Sequence, residues 1–279
     1  MYAPVRTLPE PFDGWFARRG WSPRPHQWAM IDAAAAGRST LLIAPTGGGK
    51  TLSGFLPSLI DLAQDPAPGL HTLYVSPLKA LATDIARNLL EPAAEMALPI
   101  TIETRTGDTP QNRRARQKAT PPHILLTTPE SLALLLSTDS GTALFTGLKA
   151  VVIDEVHALA GTKRGDQLAL GLARLTTVAP QARRAGLSAT VAHRAALQDY
   201  IGAGTPAELI EVREGAPPVL SVLLPEDRLP WSGHMGLSSA SRILDRIGDS
   251  GMTIVFVNTR AQGELLFQAL WKLNSDTLP

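Results

Sequence analysis

Apolar residues along this chain form short uninterrupted runs, separated by longer segments in which apolar residues recur every three or four positions. The short runs predict strands that are buried on both faces, and the longer spacing predicts helices. The predicted strands are residues 40–44, 72–76, 100–104, 124–127, 151–154 and 185–188, and the main helices between them are residues 51–63, 80–96, 129–137 and 165–178. This alternation predicts an α/β fold with a parallel sheet and helices on both faces. Ligands of such a sheet lie at the carboxyl ends of its strands.

The pattern changes after residue 215, where a proline-containing and then polar stretch interrupts the alternation. Beyond it the spacing predicts a helix around residues 243–247, a strand at 253–257 and a helix at 260–271. We therefore interpret residues 1–215 as one domain, 216–238 as a linker, and 239–279 as the incomplete start of a second α/β domain. A domain usually needs about 50–250 residues, so we expect the chain to be a piece of a longer protein.

Composition narrows the possible chemistry without deciding it. The 279 residues carry a formal net charge of +1, which is compatible with nucleic acid because a groove can be basic on a neutral protein. The absence of cysteine excludes disulfides, thiolate metal sites and a cysteine nucleophile, and it fits a cytoplasmic location. The N-terminus has no apolar signal-peptide core and no run approaches 18 apolar residues, so we expect no membrane partner.

The glycine-rich stretch A-P-T-G-G-G-K-T, residues 44–51, directly follows the first predicted strand. Consecutive glycines let backbone N–H groups turn inward around anionic oxygens, and the next helix adds the positive end of its dipole. Lys50 would reach the β- and γ-phosphates of ATP, and the Thr51 hydroxyl would bind Mg²⁺. The alternative is a glycine-rich turn with a chance G-K-T, because Ala44 stands where the pattern has its first glycine. The nucleotide-binding candidates in this loop are Thr46, Gly47, Gly48, Gly49, Lys50 and Thr51.

A second motif, A-V-V-I-D-E-V-H, ends another predicted strand with two adjacent acids. Side chains alternate along a strand but not past its end, so both acids can serve one site in different roles. Asp154 would hold Mg²⁺, and Glu155 would accept a proton from the attacking water or orient it. With Lys50, these acids are the predicted catalytic residues. The alternative is that the two acids only begin a solvent-exposed loop.

Three further polar residues are candidates for coupling the nucleotide site to movement. His157 follows the acid pair, and either a local hydrogen bond or a signalling role would explain it. Ser188 and Thr190 lie in L-S-A-T at the end of the last predicted strand. They either sense the loop of Asp154 and Glu155, or Thr190 merely caps the following helix.

Seven motifs together resemble those of superfamily 2 helicases, in the same order along the chain. They are A-P-T-G-G-G-K-T, S-P-L-K-A-L-A, R-T-G-D-T, T-T-P-E-S-L, D-E-V-H-A-L, L-S-A-T and I-V-F-V-N-T-R. The phrases R-P-H-Q, L-Y-V-S-P-L-K-A-L, E-T-R-T-G-D-T and K-R-G-D-Q-L-A-L-G-L-A-R-L resemble the Lhr type, and within it the ligase-associated DEXH-box DNA helicases. The resemblance extends over roughly residues 8–273.

This resemblance implies two RecA-like domains with ATP and Mg²⁺ in the cleft between them. It implies 3′ to 5′ movement on single-stranded or partly duplex DNA, a role in DNA repair, and repair partners that include a DNA ligase. Relatives of this type supply arginine fingers from the rest of the second domain, so we expect this chain to have little activity alone. The alternatives are another P-loop protein, such as a kinase or a transporter ATPase, and a nucleotide and nucleic-acid binding module without turnover.

The resemblance also assigns roles to single residues. Gln27 resembles the glutamine that reads adenine, whose edge a side-chain amide can bind; the alternative is an ordinary exposed helix residue. Small hydroxyls, backbone N–H groups and helix N-termini suit contacts with a phosphate backbone. The positions that match the family's nucleic-acid track are Ser76, Lys79, Gly107, Asp108, Thr128 and Glu130, followed by Asn258, Thr259 and Arg260 in the second unit.

For two sets of residues in these regions, a local structural role is an alternative to nucleic-acid contact. Thr259 and Gln262 form a capping-box pattern, which alone explains Thr259. The basic cluster after R-T-G-D-T either contacts phosphates or belongs to a solvated helix. Its members are Arg113, Arg114, Arg116 and Lys118.

Overall fold

The structure is a computed structural model that describes residues 6–45, 47–189, 191, 193–212, 219–223 and 237–274. Of the fourth helix, it leaves out the side chains of residues 79–81, 83, 84 and 86–88. The chain divides into two compact units, Met1–Gly215 and Ala216–Pro279. The boundaries predicted for the two domains and the linker stay a prediction.

The first unit contains a parallel sheet of seven strands in the order β3-β4-β2-β5-β6-β1-β7. The strands are β1 Thr40–Ile43, β2 Thr72–Val75, β3 Ile102–Arg105, β4 Ile124–Thr127, β5 Ala150–Ile153, β6 Arg183–Ser188 and β7 Glu208–Glu211. Because all strands run in one direction, every strand-end loop of the carboxyl edge lies on the same side of the sheet.

Helices connect these strands and cover the sheet. In the first unit they are α1 Phe12–Arg18, α2 Pro25–Ala35, α3 Lys50–Gln64, α4 Lys79–Glu95, α5 Gln111–Ala119, α6 Pro129–Leu136, α7 Asp139–Thr142, α8 Val156–Leu159, α9 Lys163–Val178 and α10 Arg194–Ile201. In the second unit they are α11 Ala240–Gly248 and α12 Arg260–Leu273. Within the described ranges, no helix combines the length and apolarity that crossing a membrane requires.

Alternate residues of the central strands enter two separate hydrophobic cores. Leu42 of β1 packs in the core with α1, α2, α3 and α4, whereas Leu41 and Ile43 pack in the core with α6, α9 and α10. All four residues of β1, and likewise of β2, β4 and β5, are buried. Each buried Leu or Ile stabilises the fold by about 1.5–3 kcal/mol relative to exposure. The predicted α/β sheet with helices on both faces is confirmed.

The six strands predicted in the first unit are all present, with ends that differ by at most two residues from the prediction. The edge strand β7, E-L-I-E, was missed because glutamates at both of its ends break up the apolar run. Both glutamates pair with arginines, Glu208 with Arg38 at 3.2 Å and Glu211 with Arg194 at 2.7 Å.

A buried arginine ties the last helices to the sheet. Arg184 of β6 donates to the carbonyl oxygens of Leu172, Ile201 and Gly202, at distances between 2.8 and 3.3 Å. Leu172 lies within α9, whereas Ile201 and Gly202 lie at the end of α10, where backbone acceptors have no further helical partner. Burial lowers the pKa of Arg184 from its ordinary value.

The second unit, where it is described, consists of two helices and connecting segments. The predicted strand 253–257 is wrong, because these residues lie outside helices and strands, with Ile254 and Phe256 exposed. A strand needs a neighbour to pair its backbone groups, and the described residues 219–223 and 237–274 contain no other strand. Thr259 accepts from the N–H of Gln262 at 3.1 Å, which confirms that it caps α12.

Candidate nucleotide and nucleic-acid site

The glycine loop connects β1 to α3, and its backbone explains why glycines occur there. Gly47 and Gly49 have φ values of 79° and 76°, in the left-handed region that other residues rarely adopt. A Cβ at Gly48 would lie 2.8 Å from the carbonyl oxygen of Pro45, which is too close. The loop thus leaves space that side chains would fill and ends at the N-terminus of the 15-residue helix α3. Such a loop can bind an anion.

The two polar residues that end the motif begin α3. The Lys50 ammonium donates to the carbonyl oxygen of Ala44 at 3.0 Å, so it lies back across the loop. Thr51 is half-buried in the first turn. Ser53 donates its hydroxyl to the Gly49 carbonyl at 2.8 Å and fixes the start of the helix. Thr46 lies outside the described residues, so its predicted role stays a prediction.

Gln27 lies beside this loop. Its amide oxygen accepts from the N–H of Arg24 at 2.8 Å, and its amide nitrogen lies 3.8 Å from where a Cβ at Gly49 would be. The side chain is 4% exposed, so the alternative of an exposed helix residue is wrong. One side of the amide is therefore fixed by α2, and the other faces the glycine loop.

The acid pair lies at the end of β5 and differs in burial. Asp154 is 4% exposed and accepts from the Glu155 N–H at 2.9 Å and from the Tyr74 hydroxyl. Burial, together with the charge of Asp154, raises the pKa of Tyr74 above its ordinary value. Glu155 has φ 45° and ψ 46°, a left-handed conformation that turns the chain sharply after the strand. That turn gives the two neighbouring acids different surroundings.

His157 connects the acid pair to the end of β6. Its Nδ1 lies 3.0 Å from the Ser188 hydroxyl, and its Nε2 lies 3.4 Å from a carboxylate oxygen of Glu155. Of the two explanations left open for His157, the structure supplies a local hydrogen bond, and that bond is with a predicted coupling residue. Thr190 lies outside the described residues, and α10 begins after His193 without a side-chain cap.

The strand register brings these loops to one level of the sheet edge. Ile43 of β1 lies beside Ser188 of β6, and Ile153 of β5 lies beside Gly186, two residues earlier. Glu155, two residues beyond Ile153, therefore reaches the level of Ser188. Only β6 separates β1 from β5, a lateral distance of about 10 Å. A triphosphate with its metal ion is large enough to contact both loops.

The residues predicted for the nucleic-acid track follow β2, β4 and β3 in the other half of the sheet. The buried Ser76 hydroxyl donates to the Leu78 carbonyl at 3.2 Å, and Thr128 precedes α6 as its N-cap residue. Glu130 pairs with Arg164 of α9 at 2.5 Å, which lowers the pKa of Glu130. Lys79 begins α4, but its side chain is not described.

The loop after β3 is held by the basic helix α5. Arg114 donates to the carbonyl oxygens of Thr106, Gly107 and Thr109, at 3.2, 2.7 and 2.7 Å. Gly107 and Asp108 thus lie in a loop whose backbone carbonyls are held by Arg114. In the second unit, Asn258, Thr259 and Arg260 lie at the start of α12, where Asn258 donates its N–H to Gln262.

The other members of the basic cluster also have local partners. Arg113 and Arg116 lie 3.3 and 2.7 Å from Glu103, and Lys118 donates to Ser140 at 3.0 Å. Burial would raise the pKa of Glu103, but the Gln117 hydrogen bond and the two arginines lower it. These contacts hold β3 and the loop that follows it. They favour the alternative in which the cluster belongs to a solvated helix over the alternative in which it contacts phosphates.

A scan of family models matches the DEAD/DEAH box helicase model to residues 24–198, more than half of the chain. The chain belongs to the DEAD/DEAH box helicase family. The matched range of this DEAD/DEAH box helicase chain runs from the segment before Gln27, through the glycine loop and the acid pair, to α10.

Relatives place the chain near the Lhr helicases within the family. It is 38% identical over 94% of its length to the Lhr helicase/probable uracil glycosylase of Mycolicibacterium smegmatis, of which it spans 18%. It is 35% identical over 92% of its length to the ATP-dependent helicase Lhr-Core of Methanocaldococcus jannaschii, of which it spans 32%. The chain thus spans less than a third of the length of each of these relatives, and the resemblance to the Lhr type is confirmed.

Solved structures agree with the fold. The structure of the Mycobacterium smegmatis helicase Lhr bound to ssDNA and AMP-PNP matches 95% of this chain and 36% of that chain, with a TM-score of 0.72 and 37% identity. The helicase MrfA bound to DNA matches 98% of this chain and 40% of that chain, with a TM-score of 0.81 and 26% identity. The predicted RecA-like fold of the first unit is confirmed; the association with a ligase stays a prediction.

Sequence reasoning missed Tyr74 and Arg164, and it named Arg114 only as a member of the basic cluster. Arg164 pairs with Glu130 of α6, 34 residues away, so spacing alone gave no signal. Arg114 contacts carbonyls only five to eight residues before it, but no residue type in that loop indicates such a partner. Tyr74 gave a weak signal, because it is a large side chain with a polar group at its end in the buried strand T-L-Y-V. A buried tyrosine hydroxyl needs a hydrogen-bond partner.

Proposed function

We propose that this chain is the ATP-binding part of an ATP-dependent DNA helicase or translocase that moves 3′ to 5′ on single-stranded DNA. The observation that carries the proposal is the convergence of the glycine loop, the acid pair and the His157–Ser188 contact at one sheet edge. The Lhr structure with ssDNA and AMP-PNP, which matches almost the whole chain, supports the same ligands here.

The residues present suit a magnesium nucleotide. Carboxylate and hydroxyl oxygens are ligands that Mg²⁺ prefers, and Asp154 and Thr51 offer one of each. The loop 47–49 would bind the phosphates through backbone N–H groups, Lys50 would exchange its Ala44 contact for the β- and γ-phosphates, and Gln27 would bind the adenine edge. Bound Mg²⁺ would neutralise charge that develops on the phosphates during hydrolysis.

Glu155 and His157 would convert the state of the nucleotide into a change in the protein. Glu155 would take a proton from the attacking water, and it is also the residue that His157 approaches at 3.4 Å. A change at Glu155 would reach Ser188 and the end of β6 through this histidine. ATP would favour closure against a second RecA-like domain, and hydrolysis would release it.

The nucleic acid would lie along the loops after β2, β4 and β3. The N-terminus of α6, with Thr128 before it, presents backbone N–H groups that suit phosphate contact without reading bases. Lys79 at the start of α4 and the Gly107–Asp108 loop would extend this track. In the second unit, residues 258–260 at the start of α12 stay separate candidates for nucleic-acid contact. Direction of movement, a role in repair and repair partners rest on the resemblance to Lhr-type helicases.

We expect the 279-residue chain alone to bind ATP-Mg²⁺ but to hydrolyse it slowly. It spans at most about a third of the relatives, and an arginine finger from a second domain contributes about 10³–10⁵ in rate. Robust unwinding by this chain alone would contradict that expectation.

The test is ATP hydrolysis by the full reading frame, with and without single-stranded DNA, followed by unwinding of duplexes that carry either a 3′ or a 5′ tail. The proposal predicts DNA-stimulated hydrolysis and unwinding of the 3′-tailed duplex. ATP hydrolysis that DNA does not change would contradict the motor function. Unwinding only from the 5′ tail would contradict the direction alone.

A further inference from the structure

The Tyr74 hydroxyl holds the carboxylate of Asp154, the aspartate of the acid pair. It lies on β2, next to β5, with its ring fully buried, and its hydroxyl donates to Oδ2 of Asp154. The other oxygen, Oδ1, accepts from the Glu155 N–H at 2.9 Å. Both carboxylate oxygens therefore have a donor, and the plane of the carboxylate is fixed. Each oxygen keeps further acceptor capacity for the nucleotide site.

The ring of Tyr74 is itself fixed by the helix that begins at the glycine loop. It stacks on Phe55 of α3 with ring centroids 5.0 Å apart and an interplanar angle of 23°. Tyr74 thus lies between the Lys50 helix and the Asp154 strand. A rigid, stacked ring fixes the position of its hydroxyl more closely than a flexible polar side chain could.

We propose that Tyr74 is a positioning residue for Mg²⁺, acting by orienting Asp154 through its hydroxyl. This inference rests on the proposed function, since it assumes that Asp154 serves the metal ion of a bound nucleotide. Mg²⁺ demands near-octahedral geometry, so a ligand or water acceptor must be held at a defined angle. Loss of a partner that orients such a carboxylate typically weakens metal affinity about 10- to 100-fold.

A purely structural role is the competing explanation, and a second tyrosine allows a matched control. Tyr200 of α10 is partly buried, and its hydroxyl donates to the Gly165 carbonyl at 2.7 Å. Tyr200→Phe removes the same atom and one hydrogen bond without touching the acid pair. Any effect of Tyr74→Phe that exceeds the effect of Tyr200→Phe results from the contact between Tyr74 and Asp154 and not from the loss of a tyrosine hydroxyl in general.

The experiment measures the affinity for a fluorescently labelled ATP in excess Mg²⁺ and in EDTA, for wild type, Tyr74→Phe and Tyr200→Phe. The dissociation constant in EDTA divided by that in excess Mg²⁺ gives a ratio that reports what the metal ion contributes to binding. We expect Tyr74→Phe to lower this ratio about 10-fold while the affinity in EDTA stays at the wild-type value. Tyr200→Phe should leave both unchanged, and thermal melts establish that all three proteins fold.

Addition of Asp154→Asn separates action through Asp154 from action elsewhere. Tyr74→Phe in the Asp154→Asn background should lower the ratio no further, and a further loss would contradict the proposal. A ratio unchanged in Tyr74→Phe, an equal loss of affinity with and without Mg²⁺, or failure of the variant to fold would overturn the positioning role and leave the proposed function intact. A wild-type ratio of one would overturn both.

Discussion

At the scale of single residues, Glu155 shows how two neighbouring acids acquire different properties. Its left-handed backbone, with φ 45°, ends the alternation of β5 and costs about 1–2 kcal/mol for a residue with a side chain. Asp154 remains buried behind it, fixed by two donors, whereas the Glu155 side chain is 34% exposed and faces His157. The first is suited to hold a metal ion and the second to exchange a proton.

This division predicts different defects in two variants. Lys50→Ala removes the cation that contacts the phosphates, so ATP binding should be lost. Glu155→Gln keeps the shape and hydrogen-bonding ability of the side chain but not its basicity, so binding should persist while turnover falls about 10²–10⁴-fold. Binding is measured by titration calorimetry and turnover by phosphate release. Equal loss of ATP binding in both variants would contradict the separate roles.

His71 gives a pH dependence of stability that is independent of the nucleotide site. Burial lowers its pKa to about 4, and the charges of Arg183, Lys149 and His123 add to this effect against the opposing charge of Asp61. Above pH 6.5 the residue is neutral in both the folded and the unfolded state and contributes nothing. As the pH falls from 6.5 towards 4, the unfolded chain binds the proton first, so stability is lost.

Between pH 7.5 and pH 5, the free energy of unfolding of the wild type should therefore fall by about 2 kcal/mol more than that of His71→Gln. Urea denaturation at the two pH values measures this difference. Parallel pH dependence in both proteins would show that His71 is accessible enough to titrate normally when folded.

At the scale of elements, Arg184 of β6 connects α9 and α10 to the sheet through carbonyl oxygens, two of which lie at the end of α10 and have no further helical partner. Arg184→Met keeps much of the side-chain volume but leaves the acceptors of Leu172, Ile201 and Gly202 without this donor. We expect a loss of about 2–4 kcal/mol in the free energy of unfolding.

The matched control is Arg38→Met. Arg38 pairs with Glu208 at 3.2 Å, but its side chain is 54% exposed, and such a pair contributes about 0–1 kcal/mol. Chemical denaturation of both variants gives the comparison. Equal losses would contradict the structural role assigned to Arg184.

The sequence predicted the elements whose residues are buried on both faces and missed those that depend on contacts from elsewhere. Uninterrupted apolar runs identified six strands of the first unit. The helix α5, Q-N-R-R-A-R-Q-K-A, was left only as an alternative for a basic cluster, since it has no apolar stripe and is held by polar contacts such as Arg114 with the Gly107 carbonyl. In the opposite direction, residues 253–257 have the composition of a strand but no strand to pair with.

The same distinction applies to the site. Glycines and paired acids were predictable because backbone conformation and metal chemistry demand those residue types at the ends of strands. Tyr74 was not, because its partner Asp154 is 80 residues away and only the order of strands in the sheet brings the two together. The partner of Glu130 was hidden for the same reason.

At the scale of the whole molecule, the basic residues of α5 do not form a free positive patch. The net charge is only +1, and Glu103 lies within 3.3 Å of both Arg113 and Arg116. We therefore expect single-stranded DNA to bind mainly through backbone N–H groups, hydroxyls and helix N-termini along the loops after β2, β4 and β3.

Arg116→Gln tests this view of the surface. The slope of log K against log salt concentration for single-stranded DNA should change by much less than about 0.7, the value for one lost phosphate contact. Fluorescence anisotropy at several salt concentrations gives the slope. A change near that value would show that Arg116 neutralises a phosphate despite its partner Glu103.

The central claim is that one magnesium nucleotide contacts both the glycine loop and the acid pair at the carboxyl edge of the sheet. The opposite edge offers a rival location, since a cavity of about 690 Å³ is lined there by Lys118, Lys149 and Arg183. A crystal structure of the chain with AMP-PNP and Mg²⁺ decides between them. The account predicts phosphates in the loop 47–51 and a single metal ion between Thr51 and Asp154. Nucleotide bound at the opposite edge, or a metal ion that contacts the Asp154 carboxylate neither directly nor through water, would contradict it.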